Sequence, residues 1–251
     1  MRWFMALAYR GAPFHGWQRQ PGDVSVQSTI EDALATILRQ PVAIVGAGRT
    51  DAGVNARRMY AHLDLPDGFD PREGSFMRGL NSLVGRDIAI YSFVPAAPDA
   101  HARFDATERT YRYFAHTLKS PFTGDLSWFA PNPLDFDAMN EAASLILGRR
   151  DFTSFSKLHT DVRTNICDLR SARWVRTGDD TWYFEISADR FLRNMVRAVV
   201  GTLVEVGRGK MSPETVLDVL DRKDRCCAGT SMPGEPLFLW DVKYPYKVDN
   251  L

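Results

Sequence analysis

The apolar residues of this chain change their period along its length, and that change limits the fold more than any single motif. Val26, Ile30, Ala33, Leu34, Ile37 and Leu38 recur at helical spacing behind Ser25, a residue suited to cap a helix. Met59, Ala61, Leu63 and Leu65 recur instead at every second position, with Tyr60, His62 and Asp64 between them, which predicts a strand with one apolar face. Further strands are expected over residues 2–9, 42–45, 88–94, 110–118 and 237–244. Helices are expected over 26–38, near 71–83, around 136–147 and after Pro213, with a long one from about Arg190 capped by Asp189. Residues 169–176 and 182–186 flank Gly178-Asp179-Asp180, a hairpin signature. Hairpins mixed with helices, and few simple βαβ crossovers, specify an α+β fold. The expectation is two similar α/β lobes, with mixed and largely antiparallel sheets, around a central cleft. Pro95-Ala96-Ala97-Pro98 interrupts the pattern, so the lobes are expected to span residues 1–104 and 105–251.

A hydrophobic content of 45% and a charged content of 25% over 251 residues are those of a soluble globular protein with room for a real core. No apolar stretch reaches membrane-spanning length and the N-terminus lacks a signal-peptide pattern, so a cytoplasmic location is expected. The three cysteines and five histidines fall at no ligand spacing, and no metal or cofactor is expected. Net charge is zero, which argues against a generic basic nucleic-acid binder. Yet 25 of the 31 basic residues are arginine, the side chain suited to bidentate phosphate contact and base stacking. A GC-rich genome would also favour arginine. The distribution is more specific: Arg190, Arg193, Arg197, Arg208 and Lys210 lie in one stretch against Glu205 alone.

One carboxylate stands out, Asp51 in Gly46-Ala47-Gly48-Arg49-Thr50-Asp51-Ala52-Gly53. Glycines let a backbone turn tightly and approach a ligand, and the flanking strands place this acid on an exposed strand-to-strand connection. An Asp capping its own turn is the ordinary alternative. A dinucleotide loop does not fit, because Asp51 stands where the third glycine belongs and no helix follows; no Gly-Lys-Ser/Thr follows either.

Arg190, Arg193 and Arg197 would share a face of the expected long helix. A mid-helix Gly201 costs roughly 1 kcal/mol relative to alanine, so a backbone or ligand is expected to pack closely there. Arg197 lies in an apolar run and needs an anion if buried; Asp51 is the expected partner, within salt-bridge distance. Cations and aromatics interleave from His101 to Tyr113, a composition suited to RNA backbone contact and base stacking, although strand tyrosines at 111 and 113 also suit a core. Residues 11–20, a polar and aromatic loop, extend the same theme. Arg103, Arg109, Arg193 and Gln18 are expected RNA contacts.

Together Gly16-Trp17-Gln18-Arg19-Gln20, the Asp51 loop, His101-Ala102-Arg103-Phe104-Asp105-Ala106, Arg109-x-Tyr111-x-Tyr113, Asp151-Phe152-Thr153-Ser154-Phe155 and the run from Phe191 to Gly207 resemble the tRNA pseudouridine synthase A family, over nearly the whole chain. The resemblance implies a pseudouridine synthase fold with an RNA-binding cleft. It also implies a cofactor-free homodimer that isomerises uridine to pseudouridine at positions 38 to 40 of the tRNA anticodon stem-loop. It further implies that Asp51 is the catalytic aspartate, Arg197 its arginine partner and Tyr111 the ring that stacks on the target base. Arg49 would help extrude the base, and Leu237 would line the uracil pocket. The reaction breaks the C1′–N1 bond and rejoins the base through C5, so one nucleophilic carboxylate and an extruded base suffice. A glycosidase would want a second carboxylate, and none is evident. Asn55, Arg150 and Asp189 stand where the family usually has His, His and Asn. The alternative of another class is a tRNA-binding folding chaperone; a nucleotide-binding enzyme fits less well.

Overall fold

The computed structural model describes residues 1–157 and 164–249. Its contacts divide the chain into two units, Met1–Thr107 with Leu239–Leu251, and Glu108–Phe238. Each unit combines antiparallel strands with helices, the α+β class expected from the changing apolar period.

The first unit contains β1 (Arg2–Tyr9), α1 (Val26–Leu38), β2 (Ile44–Gly46), β3 (Asn55–Asp64), α2 (Gly74–Leu83) and β4 (Ile88–Pro95). Strand β1 pairs antiparallel with β4 on one side and β3 on the other, and β2 pairs antiparallel with β3. Helix α1 begins where its sequence predicts. Ser25 Oγ accepts from Ser28 N at 3.1 Å, and Ser28 Oγ accepts from Ser25 N at 3.0 Å, a reciprocal cap. Its buried stripe is Val26, Ile30, Ala33 and Leu34.

Three expectations in this unit need correction. The strand expected over residues 42–45 is β2 at Ile44–Gly46, two residues later, with Val45 exposed. Helix α2 starts at Gly74 rather than near Pro71, because Asp70 accepts from Arg72 N and from its guanidinium, which holds that segment in a turn. Strand β3 is buried on both faces from Met59 to Leu63, with Tyr60 and His62 covered as well as Met59 and Ala61. The cover comes from residues 244–249, where the Tyr244 ring meets those of Phe4 and Tyr60 edge-on and Tyr60 donates to Asp249.

The second unit contains β5 (Glu108–His116), β6 (Trp128–Phe129), α3 (Phe136–Leu145), β7 (Gly148–Asp151), β8 (Ile166–Arg176), β9 (Thr181–Ala188), α4 (Met195–Gly207) and α5 (Thr215–Arg222). The last strand, β10 (Leu237–Lys243), begins here, and its residues from Leu239 belong to the first unit beside β3. The order within the second unit is β5-β9-β8-β7, antiparallel throughout, with β6 parallel to β5. The β8–β9 hairpin closes around residues 177–180 as the sequence predicts, with Arg176 opposite Trp182.

Helix α4 is the core of this unit. Every residue from Met195 to Gly207 is buried except Arg197 and Glu205, so it is surrounded rather than laid on a surface. It also starts five residues later than expected. Asn194 takes the left-handed conformation at φ 67°, which asparagine tolerates better than most residues other than glycine and which cannot continue a helix backwards. Asp189 therefore caps no helix. Its Oδ1 instead accepts from Asp168 N at 2.8 Å and Arg190 N at 2.7 Å, closing the turn after β9.

Candidate active site

The Asp51 loop connects β2 to β3, as its glycines and flanking strands imply, and the carboxylate is half-buried. The loop is pinned from outside by residues 9–17. Trp17 N donates to Thr50 O at 3.2 Å, and the hydroxyls of Tyr9 and Thr50 share a hydrogen bond of 2.8 Å. Gly16 has φ 93°, and a Cβ there would lie 2.6 Å from Thr50 O, so the two backbones meet at a distance only glycine permits. Ala47 N donates to Tyr60 O and Val54 N to Asp51 O, which fixes both ends. Asn55, one of the departures, is buried and its Oδ1 accepts from Gly11 N at 2.7 Å, tying the same two segments together. Asp51 thus sits half-buried on a backbone held at both ends. That is the preorganisation a nucleophile needs.

Arg49 is exposed, and its Nε donates to Gln18 Oε1 at 3.1 Å. Gln18 Nε2 donates in turn to Gln27 Oε1 at 2.8 Å, and Gln27 Nε2 to Glu31 Oε1 at 2.9 Å and Ile44 O at 3.1 Å. A chain of side chains therefore runs from α1 to Arg49. Sequence reasoning found Gln18 but missed Gln27, whose side chain is the middle link. Arg19 is committed elsewhere, to Glu31 and Asp32. Arg103 lies in the same unit at the tip of the 101–106 loop, with its guanidinium 5.8 Å from the Phe104 ring centroid.

In the second unit Arg197 is half-buried on the first turn of α4. Its Nε donates to Met232 O at 2.5 Å, while Met232 N donates to its carbonyl at 3.2 Å. Residues 228–232 lie along the helix. A Cβ on Gly201 would fall 1.8 Å from Thr230 O, so the close neighbour that Gly201 implied is a backbone. Gly229 N donates to Thr202 Oγ1, and Asn194 Nδ2 to Ser231 Oγ at 2.7 Å.

The arginine face expected on this helix does not exist. Arg190 and Arg193 precede it, in the connection after β9 and in a turn, leaving Arg197 as its cation, and Arg193 is exposed there. Farther on, Arg208 and Lys210 share the carboxylate of Glu205. Arg109 Nη1 donates to Asp189 O at 2.8 Å, so that guanidinium braces the turn after β9.

Tyr111 lies on β5 opposite Ile186, half-exposed, with its ring edge-on to Phe191 at 5.1 Å. Tyr113, two residues on, is wholly buried, and burial raises its phenol pKa. Both tyrosines share one face of β5, and burial deepens along the strand, so Tyr113 lies in the core while Tyr111 nearer the strand start stays accessible. Leu237, at the start of β10, is buried, its N–H donating to Gly234 O. Asp51 and Arg49 belong to the first unit; Arg197, Tyr111, Arg109, Arg193 and Leu237 belong to the second. Of the departures here, Arg150 Nε donates to Leu147 O at the surface.

Comparison with known proteins identifies relatives over nearly the whole chain. The sequence model of a family described as tRNA pseudouridine synthase matches residues 142–245. A tRNA pseudouridine synthase A of Parabacteroides distasonis is 54% identical over 244 residues, covering 97% of this chain and 96% of that protein. The protein of the same name from Bacteroides fragilis is 51% identical over 98% of each chain. That of Bacillus subtilis is 37% identical, covering 97% of this chain and 99% of its own.

Proposed function

The chain belongs to the tRNA pseudouridine synthase A family, and we propose that it converts uridine to pseudouridine at positions 38 to 40 of the tRNA anticodon stem-loop, with Asp51 as its catalytic carboxylate. The observation that carries this reading is the pinned loop, which holds one half-buried carboxylate on a backbone hydrogen-bonded at both ends and packed against Gly16. The isomerisation neither gains nor loses an atom overall. The C1′–N1 bond breaks, C1′ rejoins the base at C5, and the proton on C5 leaves as N1 acquires one, so the stoichiometry requires no co-substrate.

Within this scheme Asp51 acts on the extruded uridine and Arg197 is its ionic partner. A guanidinium whose Nε is already held by Met232 O keeps a fixed direction, which suits it to that task. Tyr111 stacks on the target base, supported by the edge of Phe191. Arg49 occupies the space the base vacates, and Leu237 lines the uracil pocket. Arg103, Arg109, Arg193 and Gln18 serve RNA binding, with Arg109 and Gln18 acting mainly through the groups they position.

The chain acts in the cytoplasm as a homodimer; Leu118, Phe122, Leu126 and Phe129, all exposed on one segment of the second unit, support self-association. No helix among the described residues is long and apolar enough to cross a membrane. Sedimentation of Phe122→Asp tests the dimer, and a mass unchanged from the wild type would remove this segment from the interface.

Tritium release from tRNA transcripts carrying 5-tritiated uridine tests the chemistry. Wild type is expected to release tritium and Asp51→Asn to release none while retaining tRNA binding. Release by the Asn variant would remove Asp51 from its role.

A further inference from the structure

The 101–106 loop turns its polar atoms inward. His101 N donates to Asp105 Oδ2 at 2.7 Å, and Arg103 N and Phe104 N both donate to His101 Nδ1, at 3.1 and 3.2 Å. Ala102 N donates to His62 Nδ1 at 3.0 Å, and Asp105 N to His101 O at 3.1 Å. From the C-terminal segment Tyr244 donates to Ala102 O and Tyr246 to Asp105 Oδ2, each at 2.6 Å. All of these residues lie in the first unit.

A loop held this firmly would be expected to bury its apolar side chain. Phe104 is instead 74% exposed. Its ring lies 4.2 Å from that of His101, tilted by 31°, with the Arg103 guanidinium 5.8 Å from its centroid. A phenyl ring left in water forgoes the gain of burial, and this one rests against the His101 ring instead of the core. The outer ring face is therefore open, rigid and flanked by a cation. Unpaired bases stack on such faces, and a neighbouring arginine suits the phosphate that follows.

We propose that Phe104, backed by His101, is a stacking platform for an unpaired tRNA nucleotide other than the target uridine, with Arg103 on the adjoining phosphate. This rests on tRNA being the substrate and not on the role of Asp51. Burial pushes the His62 pKa down to about 4, so near neutral pH its Nδ1 remains an acceptor for Ala102 N.

The test compares Phe104→Ala, Phe104→Leu and Phe104→Trp in the full chain, reading tRNA affinity, single-turnover rate at saturating tRNA, and sedimentation. The phenyl ring takes no part in the loop's hydrogen bonds, so all three variants should melt close to the wild type. The alanine variant is expected to bind tRNA about 5- to 100-fold more weakly with an unchanged saturating rate. Tryptophan should restore binding and leucine, apolar but without a π face, should not. Alanine binding within about twofold of wild type would overturn the proposal. So would rescue by leucine equal to that by tryptophan, or a change of oligomeric mass in the alanine variant, which would assign the ring to a second copy of the chain. Loss of catalysis with intact binding, the Asp51→Asn signature, is separate from every one of these results.

Discussion

Arg197 and Met232 exchange two hydrogen bonds, one from each residue, so the guanidinium proposed as the partner of Asp51 is aimed by the backbone of a neighbouring segment. Lysine keeps the charge but offers no planar fork to be held at one nitrogen and presented at the others. Arg197→Lys is therefore expected to lower the single-turnover rate by about 100-fold, the cost of a misplaced group, with tRNA affinity within a few-fold of wild type. A rate within threefold would show that charge alone matters.

The same segment depends on Gly201. An alanine there would drive its Cβ into Thr230 O, and Gly229 leaves the segment no slack, since a Cβ on it would lie 2.6 Å from Gly201 C. Gly201→Ala should cost about 1–3 kcal/mol, read as a lowered urea midpoint. It should also reduce turnover, because displacing residues 228–232 moves the carbonyl that holds Arg197. Normal stability with normal rate would mean that the segment relocates freely.

Gln18 couples Arg49 to α1. Gln18→Ala releases the guanidinium without uncovering the core, so about a tenfold fall in kcat/KM is expected with an unchanged melting temperature. Gln18→Glu keeps the acceptor for Arg49 and should recover part of the loss. Equal defects in both variants would argue that the Gln27 contact is the one that counts.

His62 gives a pH dependence of stability. Burial holds its folded pKa near 4 against the ordinary 6.5, so the unfolded chain binds the extra proton first. Stability is then full above about pH 6.5 and falls as pH drops toward 4, by at most about 3 kcal/mol. Urea midpoints measured from pH 7 to 4.5 should show this decline. Gln in place of His62 keeps an acceptor for Ala102 N and should flatten it; an unchanged slope in His62→Gln would assign the effect to other groups.

What was legible in the sequence was local. The Ser25 cap, the stripe of α1, the β8–β9 turn and the glycine-flanked Asp51 connection each depend on residues a few positions apart, where hydrogen bonds and side-chain periods act without tertiary help. The order of motifs also sufficed to resemble a family. The tertiary structure decided what lies over what. It set the start of α4 by placing Asn194 in the left-handed region with its amide on Ser231, and it directed Arg109 to the Asp189 carbonyl. It also covered the second face of β3 with residues 244–249, laid residues 228–232 against Gly201, and left Phe104 in water above a fully bonded loop. Each of these joins segments distant in the chain, and such contacts form only when packing brings them together. A sequence can mark Gly201 as needing a close neighbour, but only the folded chain determines that the neighbour is Thr230.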